Sequence, residues 1–404
     1  MKVELFFMFL CLSIIFISFI TYNVNEYMGN SLELKEINSQ RKTELIDIPA
    51  SINYIIPINN KYIIAFEYQP KFYLFNLYLN NKIDNDRIFL INIENNDYSE
   101  IKINNFPENV PFHPHSISLY YTPEKNYILY ILNHAVNYNY EGQERLEKLF
   151  LRFESKKISL TYKDTIIFPN EYFLRIESIS IIKEDLFYFT TNTPYIYPRD
   201  SDELLDLKPK LYYLMNDILK IITPMINSKK CFVYLYNKEN KGNEISIIDK
   251  SESIIYGGIT FDNKRNLLYA IKSAEKIMNV FEVNNSGTKL LKSIPILYEG
   301  NNIFYNDKED RIYIGINGKK SEEESIIKEL KKNEDIDNIE TYSGYEIINP
   351  GNNYSVSDIM IMKNKKFKWI NSAVEIKGKI YMSSIYSKGI MISYKNKFFN
   401  FLQI

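Results

Sequence analysis

The sequence predicts an all-β fold, a six-bladed β-propeller with an N-terminal hydrophobic anchor and a short surface helix inserted between blades. Three observations predict it. A two-stranded unit recurs six times along the chain, an uncharged apolar run stands near its start, and one long segment carries a helical instead of a strand-like period.

Each copy of the unit has a short apolar run, a tight polar turn and a run rich in Tyr, Ile and Phe. The copies are Ile52–Glu67, turning near Asn59-Asn60-Lys61, and Ile117–His134, turning near Pro123-Glu124-Lys125. They continue with Ile179–Asn192, turning at Lys183-Glu184-Asp185, and Gly258–Ser273, turning at Asp262-Asn263-Lys264-Arg265. The last two are Asn302–Gly318, turning between Asn306 and Asp310, and Ala373–Ser387, turning at Lys377-Gly378-Lys379. Turn chemistry and β-branched or aromatic enrichment make each a hairpin. Successive copies begin on average about 64 residues apart. That spacing suits a four-stranded blade with insertions better than a bare hairpin.

The run Leu5–Ile20 is about sixteen residues without a charge. It is long for a signal peptide and slightly short for a spanning helix, and no A-x-A-like cleavage site follows it. Residues 1–24 are therefore read as a signal anchor or signal peptide, with the uncleaved anchor favoured, and residues 45–404 as the propeller. The protein is expected to be membrane-anchored and exported, to a cell envelope or secretory pathway. Cys11 lies within the apolar run, which leaves Cys231 as the single thiol of the folded part and no internal disulfide.

Within Leu204–Lys230, residues Leu211, Leu214, Met215, Ile218 and Ile222 recur at helical spacing between Pro209 and Pro224. The helix Leu211–Ile222 either packs its apolar stripe on the propeller or touches a membrane. The charged stretch Ser321–Glu340 is expected to be a solvated loop or helix. A formal net charge of −1 argues against a nucleic-acid binder, which would carry a basic excess.

Chemistry points to one hairpin. All three histidines, His113, His115 and His134, fall in it. A turn centred between Glu124 and Lys125 places residue i opposite residue 249 − i, hence His115 opposite His134. Paired imidazoles can relay a proton near neutral pH, or can be a satisfied structural pair. There is no G-x-S-x-G elbow, no H-x-x-x-H or C-x-x-C spacing and no phosphate-binding loop, and Cys231 reads as part of a strand.

The string Pro114-His115-Ser116-Ile117-Ser118, followed by Leu129-Tyr130-Ile131-Leu132-Asn133-His134, resembles the signature of the paraoxonase/arylesterase family. Weaker echoes run in order through residues 45–395. The resemblance implies a six-bladed propeller with two calcium ions in its channel, one of which polarises an ester or lactone carbonyl, and a two-histidine dyad that activates water. It implies His115 and His134 as the dyad. It also implies an anchor at Leu5–Ile20 and an amphipathic helix at Leu211–Ile222.

Carried over residue by residue, the calcium ligands are depleted. The acidic pair of the first blade falls on Ile52 and Asn53, the third blade's pair on Glu177 and Ser178, the fourth blade's on Gly257 and Gly258, and the fifth blade's on Asn301 and Asn302. The expected ligands are Asn53, the Ile117 carbonyl, Glu177, Asn301 and Asn302, a set that holds calcium weakly or has lost it. Two readings follow. One is a hydrolase of small esters or lactones with an eroded calcium site. The other is a non-catalytic, membrane-tethered propeller that binds a ligand or a protein partner.

Overall fold

The computed structural model describes residues 34–69, 85–124, 126–136, 142–154, 157–169, 172, 176–191, 231–242, 244–253, 255–284, 287–332 and 336–395, besides the isolated residue 18. Apart from residue 18, the predicted anchor Leu5–Ile20 lies outside them, as does the predicted helix Leu211–Ile222. Among the described residues no helix is long and apolar enough to cross a membrane.

The described chain is nearly all β, in a propeller-like arrangement. Strands β1 (Thr43–Pro57), β2 (Tyr62–Tyr68), β3 (Ile88–Asn92) and β4 (Asp97–Ile101) form one antiparallel meander. Next come β5 (Ile103–Asn104), β6 (Pro114–Tyr121), β7 (Tyr127–Val136), β8 (Gly142–Glu154) and β9 (Lys157–Ile167), ordered β5-β9-β8-β7-β6. Two four-stranded sheets follow: β10 (Ile176–Lys183), β11 (Leu186–Thr191), β12 (Cys231–Asn237) and β13 (Ile245–Ser253), then β14 (Tyr256–Asp262), β15 (Leu267–Lys272), β16 (Ile277–Asn284) and β17 (Gly287–Pro295). A third contains β18 (Gly300–Asn306), β19 (Arg311–Ile316), β20 (Thr341–Asn349) and β21 (Ser355–Asn364). Finally β22 (Ile370–Ile376), β23 (Lys379–Ser384) and β24 (Lys388–Tyr394) join the first meander, because the early residues of β1 pair with β24 and the later ones with β2.

The first strands of the successive units touch one another in chain order, β1 to β6, β10, β14, β18 and β22, and β22 touches β1 again. They surround a central channel. Between sheets the core is aliphatic and aromatic. Tyr269, Ile271 and Val280 of one sheet, for example, pack on Ile303, Ile312 and Ile314 of the next. Each such side chain contributes roughly 1.5–3 kcal/mol when removed from water.

The hairpins turn where the sequence places them, and the reason is local. Asn59 Oδ1 accepts the N–H groups of Lys61 (2.7 Å) and Tyr62 (3.0 Å). Asp262 Oδ1 does the same for Lys264 (2.9 Å) and Arg265 (3.1 Å), and Asn306 Oδ1 for Lys308 (3.0 Å) and Glu309 (3.3 Å). These side chains imitate a backbone turn, which is why Asn and Asp stand there.

One expectation changes. The charged stretch 321–340 begins as a helix, α1 (Lys320–Lys331), started by Glu322, whose Oε2 accepts the Lys319 N–H at 3.3 Å. Instead of being solvated all round, the helix buries Ile326 and Leu330 against Trp369, Ile385 and Tyr386.

Candidate functional site

The first strand of every unit is irregular at the same place, after the first one or two pairs of its ladder with the second strand. Register shifts fall between Ile52 and Tyr54, Pro114 and Ser116, Ile176 and Ser178, Tyr256 and Ile259, Gly300 and Ile303, and Ile370 and Ser372. The residues inside these bulges are Asn53, His115, Glu177, Gly257 with Gly258, Asn301 with Asn302, and Asn371. A bulge re-aims a side chain, and bulges gather beside functional sites. The connections β2–β3, β7–β8, β11–β12 and β19–β20 all leave from this end of the channel, where α1 also lies.

Hydroxyls bridge these strands from one unit to the next. Ser116 Oγ accepts the Ile179 N–H at 3.2 Å, Ser178 Oγ the Ile259 N–H at 3.2 Å, Thr260 Oγ1 the Tyr305 N–H at 3.2 Å and Ser372 Oγ the Ile55 N–H at 3.3 Å. The strands therefore lie side by side without a continuous sheet, and their edge donors stay satisfied. Gly258 is required by this proximity, since a Cβ there would stand 2.5 Å from the Ile303 nitrogen.

The two expected dyad residues come together, but not by the register that the sequence suggested. Tyr121 pairs with Tyr127 and Ile117 with Ile131, one residue away from the 249 − i rule, and His115 itself lies in the bulge between the pairs Ser116–Leu132 and Pro114–Asn133, with no direct partner in the ladder. The His115 and His134 rings lie with centroids 4.5 Å apart and planes at 36°. Behind His134, on the neighbouring strand β8, is Glu144, which sequence reasoning missed. The cross-strand pair His134–Glu144 puts Nδ1 at 2.7 and 3.0 Å from the two carboxylate oxygens, with both side chains buried. An ionised carboxylate only accepts, so Nδ1 carries the hydrogen and Nε2 is left as the acceptor of a neutral ring.

Electrostatics separates the two histidines. Burial, helped by the neighbouring charge of His115, holds His134 well below the usual imidazole value. Burial also opposes the charge on His115. There the Glu177 carboxylate, whose Oε2 is 3.4 Å from Nε2, outweighs it with support from Glu144, and the His115 value rises. One ring is thus suited to accept a proton and the other to carry one. His113 belongs to a different group, with Nδ1 at 3.3 Å from Asp86 Oδ2 and both residues buried. Burial, only partly offset by His113, pushes Asp86 up to about 6.

The expected calcium ligands do not converge as a set of charged oxygens. Among the described residues no group of three or more His, Cys, Asp or Glu side chains is placed to hold a metal ion. Glu177 is the one carboxylate of the set, and it faces His115. Asn53 Oδ1 accepts from Asn371 Nδ2, and Asn371 Oδ1 accepts from Asn301 Nδ2, so two amide oxygens already serve neighbouring amides. Asn302 is buried where β14 and β18 meet, its Cα 2.9 Å from where a Cβ on Gly258 would be. Ile117 pairs with Ile131 and packs into the core between the first two units. Calcium takes six to eight oxygens and gains affinity from charged ones, so this donor set does not fit a tightly held ion. Asn371, the sixth bulge residue, escaped the sequence reading altogether.

The other end of the channel opens into a cavity of about 650 Å³ lined by Tyr54, Ile117, Tyr120, Ile181, Phe261 and Tyr305 among others. It lies beyond the histidines, toward the hairpin turns.

No family model matches the chain, and no curated protein matches it by sequence. Among solved structures it is similar to a luciferin-regenerating enzyme at 9% identity, covering 88% of this chain and 96% of that one with a TM-score of 0.47. A putative gluconolactonase is similar at 10% identity, with 89% and 93% covered and a TM-score of 0.45. The allergen Mala s 1 of Malassezia sympodialis is similar at 12% identity, with 89% and 98% covered and a TM-score of 0.48. At these identities and TM-scores the likenesses carry no information about activity.

Proposed function

We propose that this chain is a six-bladed propeller that takes a small ester or lactone at the bulged end of its channel and hydrolyses it. The observation that carries the reading is the buried Glu144–His134 pair, 2.7 Å apart, set against His115. Glu144 holds the Nδ1–H of His134, so Nε2 acts as general base on a water that attacks the carbonyl carbon. The proton passes from the water to Nε2 as the new C–O bond forms. It is returned to the leaving alkoxide oxygen when the acyl C–O bond breaks. His115, whose charged form Glu177 favours, faces the negative charge that develops on the carbonyl oxygen. No step is routed through calcium.

The count of six blades is supported by β1, which serves the last unit with its early residues and the first with its later ones, and by the closed order of contacts among first strands. In this reading Leu5–Ile20 anchors the exported propeller to a membrane.

A second reading has its own observation. The neutral amides Asn53, Asn301 and Asn371 stand where a hydrolytic metal would want carboxylates, and they favour a propeller that binds a ligand or partner without turning it over. An assay of the full chain in detergent on aryl acetates and γ- and δ-lactones separates the two. Hydrolysis that falls about 10²–10⁴-fold in His134→Gln, with the fold intact by circular dichroism, supports catalysis. Absence of turnover in the unsubstituted chain leaves the binding reading.

A further inference from the structure

We propose that Asn301, Asn371 and Asn53 form a directional chain of amides that closes the ring of inner strands without a metal ion. Asn301 Nδ2 donates to Asn371 Oδ1. Asn371 Nδ2 donates to Asn53 Oδ1 and, at 2.8 Å, to the Asn53 carbonyl. Asn53 Nδ2 donates in turn to the His115 carbonyl at 3.1 Å. The chain thus runs from β18 through β22 and β1 to β6, across the place where the last unit meets the first. A hydroxyl reinforces it there, since Ser383 Oγ donates to the Asn53 carbonyl at 3.1 Å and lies 2.7 Å from Ser372 Oγ.

The residue type explains the arrangement. An amide both donates and accepts, so amides in a row satisfy one another head to tail. Carboxylates at neutral pH only accept and repel one another, so a row of them needs a cation between its members. Asn53 and Asn371 are almost fully buried, where unpaired polar groups are costly, and the chain gives each a donor and an acceptor partner. What the resemblance assigns to calcium at this mouth is here done by three side chains, one of which sequence reasoning had not named.

The test reads thermal stability and is independent of whether the protein is a hydrolase. Full-length protein in detergent is melted in millimolar calcium and in excess chelator. The expected result is the same melting temperature within about 1 °C, because an ion that binds only the native state would raise it by several degrees. Asn371→Asp replaces a donor by a second acceptor facing Asn53 Oδ1. It is expected to melt several degrees lower in chelator and to recover part of that loss in calcium, whereas Asn371→Ala loses stability without recovery. A calcium-dependent rise in the unsubstituted protein overturns the proposal. So does an Asn371→Asp protein that melts like the parent in chelator. If neither variant folds, the calcium response of the unsubstituted chain still decides.

Discussion

The two ends of the central channel are built on different principles. At the turn end five of the six first ladders run into their turns without a break, and only β10 and β11 shift register there, between Ile181 and Lys183. Ile55 pairs with Ala65, Ile56 with Ile64 and Pro57 with Ile63 without a break, and the turns are fixed by single Asn or Asp side chains. Charges there are matched. Arg265 reaches Asp262 at 2.7 Å and Asp310 at 2.7 Å, and the tyrosine hydroxyls of Tyr269 and Tyr305 complete the group. At the bulged end each inner strand breaks register, and His134, Glu144 and Glu346 are buried with few charged partners beside them. The difference teaches that local turn chemistry suffices for one end, while contacts between distant segments decide the other.

The largest expected effect in stability concerns a charge on the bulged side. Glu346 is buried, its Oε2 accepts the Leu297 N–H at 3.2 Å in the connection that enters β18, and its Oε1 has no hydrogen-bond partner among the described residues. Burial, only partly countered by that hydrogen bond, pushes its carboxyl up to about 7. A raised carboxyl stabilises the fold fully below the unfolded value near 4.5, and the contribution is lost as pH rises through about 7. Glu346→Gln stays neutral throughout, so it is expected to exceed the parent in stability at pH 8 by roughly 3 kcal/mol and to match it near pH 4.5. Denaturant melts at the two pH values check this. An equal effect at both would show that Glu346 is not held as an uncompensated charge.

A pair of glycine substitutions sharpens the same comparison. Gly258→Ala pushes a methyl to 2.5 Å from the Ile303 nitrogen, against backbone that has little room to move, and is expected to cost about 1–3 kcal/mol. Gly378, in the last hairpin turn, has a φ of 74° and nothing within 4 Å of an added Cβ. Gly378→Ala is limited to the cost of a left-handed alanine, about 1 kcal/mol. The reverse order of melting temperatures would mean that the inner strands are less closely apposed than this structure has them.

The same division explains what could be read in the sequence. Hairpin turns at Asn59, Asp262, Asn306 and Lys377-Gly378 were legible because the signal and its effect lie within a few residues. The proximity of His115 and His134 was legible from one hairpin, although His115 lies in a bulge and the two are not direct partners in the ladder. Glu144 was not, because its strand follows an interruption that leaves the pairing of β7 with β8 undetermined by turn chemistry. Asn371 was not, because its partners Asn301 and Asn53 are 70 and 318 positions away. The expectation of calcium held weakly or lost came from a family resemblance, and two of its expected donors, Asn53 and Asn301, are joined here through Asn371.

The central claim is that His134 is a neutral base held by Glu144, and the pH dependence of kcat/KM for aryl ester or lactone hydrolysis tests it most directly. The expected result is an acid limb with an apparent pKa below the ordinary imidazole value of 6.5, since burial and His115 depress His134, and loss of that limb together with most of the rate in His134→Gln. A His134→Gln protein that retains the parental rate and acid limb would contradict it.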